Sequence, residues 1–317
     1  MLPSPSRILL TGASGQVGGD LLPLLQPFGS VAAPGRSDLD LGDAQAIREF
    51  IRKIKPDWIV NPAAYTAVDK AESEPERAYA INAEAPRAIG ETAAELGIPV
   101  IHFSTDYVFN GTGTIPWHES DEPAPLGVYG ASKLAGERAL SSSGAVHLIF
   151  RTSWVYASQG KNFLLTILRL AQQREELRIV DDQHGAPTWS RDLARLVAHV
   201  MERVSVRAAA VGTSLQEAVR TMQGIYHAAD SGETTWFGFA RQFLRVFAEA
   251  RPEAKLARLV PIASSEYPTP ARRPANSRLD CGRLRDVLGY TMPAWQESVA
   301  AVMAEVMRNE TAPASRD

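Results

Sequence analysis

The first half of the chain alternates short apolar runs with longer stretches in which apolar residues recur every three or four positions. Arg7-Ile8-Leu9-Leu10 predicts a buried strand, Gly12 to Gly18 a turn, and Leu21, Leu22, Leu24 and Leu25 a helix. In that helix Pro23 must occupy the first turns or cause a kink. Ser30-Val31-Ala32-Ala33 predicts a weaker strand, and Ala44, Ile47, Phe50, Ile51 and Ile54 fall at helical spacing over 44–54. Asp57 to Asn61 predicts the next strand, and residues 76–96 one long alanine-rich helix ended by Gly97. Val100 to Phe103 and Val146 to Phe150 are two further all-apolar runs. Strands without polar alternation, separated by helices, imply a parallel sheet covered on both faces.

Beyond about residue 155 the pattern changes. Helices are expected near 162–173 and 190–203, on either side of the Gly/Pro segment Asp182 to Thr188. Gly224 to Ala228 predicts a strand that returns to the main sheet, and residues 261–281, rich in proline and arginine, an ordered loop region. The expected fold class is α/β: a doubly wound parallel sheet (Rossmann) with a smaller, interleaved C-terminal substrate domain. Residues 1–155, joined by a strand near 224–230, would form the first unit, and 156–317 mainly the second. No internal repeat is visible. Residues 206–220 read as an insertion, and the tail after Arg308 is expected to fray.

Composition narrows the class. The 317 residues are 45% hydrophobic and 22% charged, an ordinary globular balance. No stretch approaches the ~20 apolar residues of a spanning helix, so no membrane is expected. Met1 to Ser6 lack a basic region followed by an apolar run, so no secretory signal is expected either. A formal charge of −3 argues against a nucleic-acid partner. The single cysteine, Cys281, forms no internal disulfide, and neither it nor the six histidines show ligand spacing; a cytoplasmic setting without a bound metal is expected.

Two constellations carry chemistry. Thr11-Gly12-Ala13-Ser14-Gly15-Gln16-Val17-Gly18 places glycines three apart between a strand and a helix. A turn without Cβ atoms lets backbone approach a pyrophosphate, and the helix N-terminus offers free N–H groups. After the second strand the chain reads Pro34-Gly35-Arg36-Ser37, with no acid to hold a ribose hydroxyl. Arg36 there either pairs with a 2′-phosphate, favouring NADPH over NADH, or is a solvated surface residue. The second constellation is Tyr129 and Lys133, four apart and therefore on one helical face. A nearby ammonium favours phenolate, so Lys133, together with an oxidised nicotinamide, is expected to lower the Tyr129 pKa. Thr105 follows directly on the strand ending at Phe103, where doubly wound sheets bind ligands, and would hydrogen-bond a substrate oxygen.

The GxxGxxG spacing with Tyr129-Gly130-Ala131-Ser132-Lys133 resembles short-chain dehydrogenase/reductases of the extended type. From about residue 7 to about 300 the chain is similar to the dTDP-4-dehydrorhamnose reductase family. The similarity rests on Gly15 to Gly18, Asn61 to Glu72, Ser104 to Phe109, Tyr129 to Glu137 and Phe150 to Tyr156. Late blocks also match: Asp182 to Thr188, Tyr267 to Ala271 and Arg273 to Arg278. The resemblance implies reduction of the 4-keto group of dTDP-6-deoxy-L-lyxo-4-hexulose by NADPH or NADH to give dTDP-L-rhamnose. It implies Tyr129 as proton donor, Lys133 on the nicotinamide ribose and Thr105 on the substrate. Gly12, Gly15, Gln16, Val17 and Gly18 would cradle the pyrophosphate, Ala63, Ala64, Tyr65, Asp40 and Leu41 would line the adenosine side, and Phe103 would line the cofactor site. Asp106, Trp154, Asn162, Arg273 and Asn276 would meet the dTDP-keto sugar. For Trp154 packing is the competing reading, and for Arg273 an ordinary surface position.

The resemblance leaves Mg2+ and a homodimer open. Some members bind a magnesium ion across a dimer through glutamates, whereas here the residue after Gly19 is Asp20. It also leaves two other activities open. A nucleotide-sugar epimerase or dehydratase of the extended group is one; a dehydratase would need an acid–base pair, of which Asp106 supplies one member. The other is a non-catalytic NADP-binding regulatory subunit, which could lose the late motifs retained here.

Overall fold

The computed structural model describes residues 5–311. The reading of Met1 to Ser6 as lacking a leader lies largely outside those residues, as does most of the tail expected to fray after Arg308.

β1 (Ser6–Leu10) runs into α1 (Gln16–Leu25), followed by β2 (Gly29–Ala32), α2 (Ala44–Ile54) and β3 (Trp58–Asn61). Then come α3 (Val68–Ala71), α4 (Pro75–Tyr79), α5 (Ala85–Leu96), β4 (Val100–Thr105), α6 (Val128–Ser142) and β5 (His147–Thr152). The second half contributes β6 (Val155–Tyr156), α7 (Phe163–Ala171), β7 (Glu176–Val180), β8 (His184–Gly185) and β9 (Thr188–Trp189). It continues with α8 (Ser190–Val211), α9 (Leu215–Arg220), β10 (Gly224–His227), β11 (Thr234–Thr235), α10 (Trp236–Ala250), β12 (Arg258–Ile262) and α11 (Trp295–Thr311).

Six strands form one parallel sheet in the order β10-β5-β4-β3-β1-β2. The period-2 alternation of side chains explains why its runs are apolar throughout. Ile8, Leu10, Trp58, Val60, Ile101, Leu148 and Phe150 pack on one face against Leu193, Val197, Val200 and Met201 of α8. Leu9, Ile59, Val100 and Ile149 pack on the other against Ile47 and Ile51 of α2 and Ala88, Ile89 and Ala93 of α5. Each fully buried Leu or Ile side chain contributes about 1.5–3 kcal/mol. A separate core gathers Tyr156, Leu164, Leu168, Trp189, Phe239, Phe243, Trp295 and Val299 from the second half. The two cores interleave in sequence, since α8, α9, β10 and Leu284 to Met292 return to the sheet. None of the described helices is long and apolar enough to cross a membrane.

Three elements differ from the sequence expectation. Pro23 sits in the last turns of α1, exposed, and the chain tightens into a 3-10 turn at Gln26–Phe28. The expected single helix over 76–96 is broken by a π-helical turn, Ala80–Glu84. Pro86 has no N–H to return to the Asn82 carbonyl four residues earlier, and Ala85 N–H reaches back to Ala80 O instead. Finally, α8 runs eight residues beyond 203, and the segment read as an insertion is its end plus α9. Ala208, Ala218 and Val219 there are buried against the main core.

Helix α6 is braced to the sheet by a buried ion pair. Arg151 of β5 donates through Nε and Nη2 to both Glu137 oxygens, at 2.9 and 2.7 Å, with each side chain only 2% exposed. Removing one partner leaves a desolvated charge alone. Glu137→Ala is expected to lower the unfolding free energy by about 3–5 kcal/mol in urea titrations; a change below about 1 kcal/mol would show that the pair does not hold the helix.

Candidate active site

The order of the sheet reverses between β1 and β3, and a cleft of about 540 Å3 opens at the carboxyl ends of the strands on either side. Strand ends are fastened there by side chains: Thr11 donates to Asn61 Oδ1 at 2.5 Å, and Asn61 Nδ2 lies 3.0 Å from His102 Nδ1. Burial holds the His102 pKa well below the ordinary imidazole range, so this floor is uncharged.

The glycine turn forms one wall, through Gly12, Gly15, Gln16, Val17 and Gly18. Gly12 has φ +61°, and a Cβ on Gly18 would lie 2.1 Å from the Gly12 carbonyl, so the turn closes only with glycine at both. Its backbone N–H groups at the start of α1 face the cleft without a side-chain cap. Ala63 and Ala64 line the cleft beside it, as does Phe103. Tyr65 does not line it; its N–H and carbonyl are held by Asn82 and its hydroxyl donates to Glu74 at 2.9 Å. Arg36 and Asp40 lie on exposed backbone after β2, and Leu41 is half-buried; none of the three lines the cleft.

Tyr129 and Lys133 face the opposite wall from α6. Lys133 is 2% exposed and donates to the Phe103 carbonyl at 2.6 Å, which leaves two of its three N–H bonds for other partners. Burial lowers its pKa to about 8, with Glu137 opposing. The Tyr129 pKa moves contrary to expectation. Burial pushes it up to about 12, a hydrogen bond with Thr105 pulls it down, and the charge of Asp106 adds to the rise. The expected lowering invoked Lys133 together with a cationic nicotinamide; among the groups of the chain itself desolvation dominates and favours the protonated phenol.

Thr105 accepts the Tyr107 N–H at 3.2 Å and donates to Asp106 Oδ1 at 3.0 Å, while Asp106 Oδ2 is buried without a partner. Burial raises the Asp106 pKa to about 6, against the opposing pull of the nearby Ser277 and Thr105 hydroxyls. Trp154, at the cleft, has φ +48° and stacks on Trp236 with ring centres 3.9 Å apart. Gly185 makes room for it: a Cβ there would lie 2.8 Å from the indole. Asn162 lines the cleft as well, but its amide is engaged. It caps α7 by accepting Leu165 N–H and donates to Gln16 Oε1, both at 3.0 Å.

Two residues expected at the substrate are not among the residues lining the cleft. Arg273 makes a bidentate pair with Asp69, at 3.2 and 2.9 Å, outside the cleft lining. Asn276 is 2% exposed and spends its amide on the Thr112 and Ile115 carbonyls, fixing a loop. Both are long-range partners of earlier motifs, which residue type alone does not disclose.

Sequence reasoning missed others. Asn82, in the π turn, ties the Tyr65 loop to Ser132 of α6 at 3.0 Å; an asparagine four residues before a proline inside an alanine-rich helix was the available signal. Glu72 accepts the Val128 N–H at 2.9 Å, satisfying the first turn of α6. Lys161 and Trp236 line the cleft without any local pattern to mark them. The carboxylate after Gly19 has protein partners of its own. Asp20 is occupied by Ser190 and Arg191, and the described residues hold no group of three His, Cys, Asp or Glu suited to a metal ion.

A pH dependence follows from Asp106. Because its folded pKa of about 6 exceeds the ordinary 3.8, the folded state binds the proton more tightly, and stability falls as pH rises through that window. Relative to wild type, Asp106→Asn should gain up to about 3 kcal/mol between pH ~4 and pH ~7, from about 2 pH units at 1.36 kcal/mol each. Urea unfolding at the two pH values measures this, and a pH-independent difference between the proteins would refute it.

A family model described as RmlD substrate binding domain matches residues 6–308. The dTDP-4-dehydrorhamnose reductase of Escherichia coli (strain K12) is 46% identical over 307 residues, 95% of this chain and 98% of that protein. The enzyme of the same description from Burkholderia thailandensis is 43% identical, covering 95% and 99%. Among solved structures, a dTDP-4-dehydrorhamnose reductase from Clostridium acetobutylicum aligns with TM-score 0.84 at 32% identity, covering 95% of this chain and 99% of that one. The Bacillus anthracis protein, solved in complex with NADP, aligns with TM-score 0.82 at 33% identity and the same coverage. With its glycine turn, Tyr129/Lys133 helix and late motifs folded together as described, the chain belongs to the dTDP-4-dehydrorhamnose reductase family.

Proposed function

We propose that the protein reduces the 4-keto group of dTDP-6-deoxy-L-lyxo-4-hexulose to the alcohol of dTDP-L-rhamnose, with NADPH as the reductant. The observation that carries this reading is that Gly12 to Gly18, Thr105, Tyr129 and Lys133 line one cleft at the carboxyl edge of the sheet. NADPH, when bound, supplies the hydride. The chain's own residues do the rest. N–H groups of the glycine turn and the α1 N-terminus hold the pyrophosphate. Lys133, anchored by Phe103, has N–H bonds to spare for a ribose. Thr105, turning its hydroxyl from Asp106 Oδ1, donates to the keto oxygen, and Tyr129 gives its proton to the developing alkoxide. The raised Tyr129 pKa suits this direction, since an acid must hold its proton at working pH.

The 156–317 portion is assigned to the nucleotide sugar, with Trp236 stacking on Trp154 of the preceding segment to offer an aromatic surface and Lys161 a cation at the cleft. Asp106 is the one carboxylate among the described residues lining the cleft, which favours a reductase over a dehydratase that needs an acid–base pair. Retention of Tyr129 and Lys133 inside that cleft favours an enzyme over a regulatory subunit. A lone, half-buried Cys281 supports a reducing cytoplasm as its setting.

Tyr129→Phe is expected to lower kcat at least about a hundredfold while leaving NADPH affinity within about twofold, because acid–base groups contribute ~10²–10⁴ in rate. The readout is loss of NADPH absorbance with the dTDP-keto sugar; a variant at full rate removes Tyr129 from the chemistry. For cofactor choice, Arg36→Ala should weaken NADPH more than NADH. Equal losses in paired titrations would leave Arg36 as a surface residue.

A further inference from the structure

Outside the cleft, an ionic network joins three helices. Asp20 stands one turn into α1, the helix whose N-terminus closes the glycine turn, and is 7% exposed. Its Oδ2 accepts the Ser190 hydroxyl at 2.5 Å, and its Oδ1 accepts Arg191 Nε and Nη2, each at 3.2 Å. The same guanidinium donates through Nη1 to Glu305 Oε1 on α11, and the other Glu305 oxygen accepts the Ser158 hydroxyl at 2.9 Å. Arg191 is kept in place from below by the Trp189 ring, 4.8 Å from its centre. Two carboxylates thus converge on a single cation, and each holds a serine hydroxyl on its other oxygen. Carboxylate oxygens are the hard donors that a divalent ion would take, yet a guanidinium already fills the position.

The place of this cation matters because α1 meets the second half of the chain along one face. Gln16 accepts from Asn162 at 3.0 Å, the Gly19 backbone lies against Gln159, and Asp20 engages Ser190 and Arg191. The N–H groups presented to a pyrophosphate therefore move with whatever holds Asp20. Small displacements of such donors cost affinity.

We infer that Arg191 is a built-in cation that positions α1 for cofactor binding, that the native protein consequently needs no divalent metal for this, and that removing the guanidinium converts its carboxylates into a metal-responsive site. Without Arg191, Asp20 and Glu305 are left as like charges with no compensating cation, and α1 loses its tie to α11. A small dication can restore both. The inference rests on the reading that NADPH occupies the glycine turn.

The test titrates the purified full chain with NADPH, without keto sugar, in EDTA and in millimolar MgCl2. Wild type is expected to bind equally in both. Arg191→Ala should bind about tenfold more weakly in EDTA, about 1.4 kcal/mol in affinity, and recover to within about twofold in MgCl2. Its unliganded thermal midpoint should rise with MgCl2 while that of wild type does not. Arg191→Lys, which keeps the charge, should stay metal-independent. The inference is overturned by wild-type affinity that falls in EDTA, by Arg191→Ala binding NADPH like wild type in EDTA, or by a weakened variant indifferent to MgCl2. If Arg191→Ala folds only with MgCl2, the inference stands; if it folds with neither, it fails. Failure of wild type to bind NADPH at all would instead refute the cofactor reading.

Discussion

The placement of α6 is the constraint on which the cleft depends. Tyr129 and Lys133 can face a ligand only if this helix lies close against the sheet edge, and small residues set that distance. A Cβ on Gly130 would stand 2.1 Å from the Tyr107 carbonyl, and one on Gly136 would stand 2.0 Å from the Asn82 carbonyl. Glu72 satisfies the helix start, Asn82 grips Ser132 in its first turns, and the Glu137–Arg151 pair fixes it to β5. The segment Tyr129 to Glu137 is therefore a docking surface as much as a reactive one. Its tyrosine and lysine point into the cleft, and the glycines, serine and glutamate between and after them hold the helix down.

Desolvation governs the charge state of what α6 presents. Burial moves Tyr129 up, Asp106 up and Lys133 down, each toward its neutral form. A cleft lined this way favours uncharged forms of its own side chains. That explains why the sequence-based expectation for Tyr129 took the opposite sign. It included a cofactor's charge, whereas the chain's own contributions are led by burial, with Thr105 and Asp106 in smaller and opposite roles. In the reductive direction the two views agree, because a proton donor starts from the protonated phenol.

What could be read from the chain was what local spacing encodes. Strands β1 to β5 and the returning β10 follow from apolar runs, and the glycine turn and the Tyr129/Lys133 helix follow from spacing plus position. Features set by distant partners could not be read. Asn162 lines the cleft and also caps α7 while reaching Gln16, 146 residues away. Arg273 and Asn276 bond to Asp69 and to the loop at Thr112 and Ile115. The break at Ala80–Glu84 was visible as Pro86 in retrospect, but helical periodicity on both sides concealed it. The extended α8 was likewise hidden, since its buried face continues through Val204 and Ala208 after a polar stretch.

Interleaving of the two cores has a mechanical consequence. Helix α8 starts against the second core, where Trp189 and Arg191 reach α11, and then runs along the main sheet beside α1. The late motifs bind one another in the same region: His184 exchanges backbone hydrogen bonds with Ala275 and Ser277, and Gly185 admits the Trp154 indole. The wall that carries the glycine turn and the wall that carries Trp154 are thus tied through α8 as well as through the chain between them. A cleft built this way has its width set by packing on both sides. That is what two reactants need if a hydride donor and a carbonyl are to meet at a fixed distance.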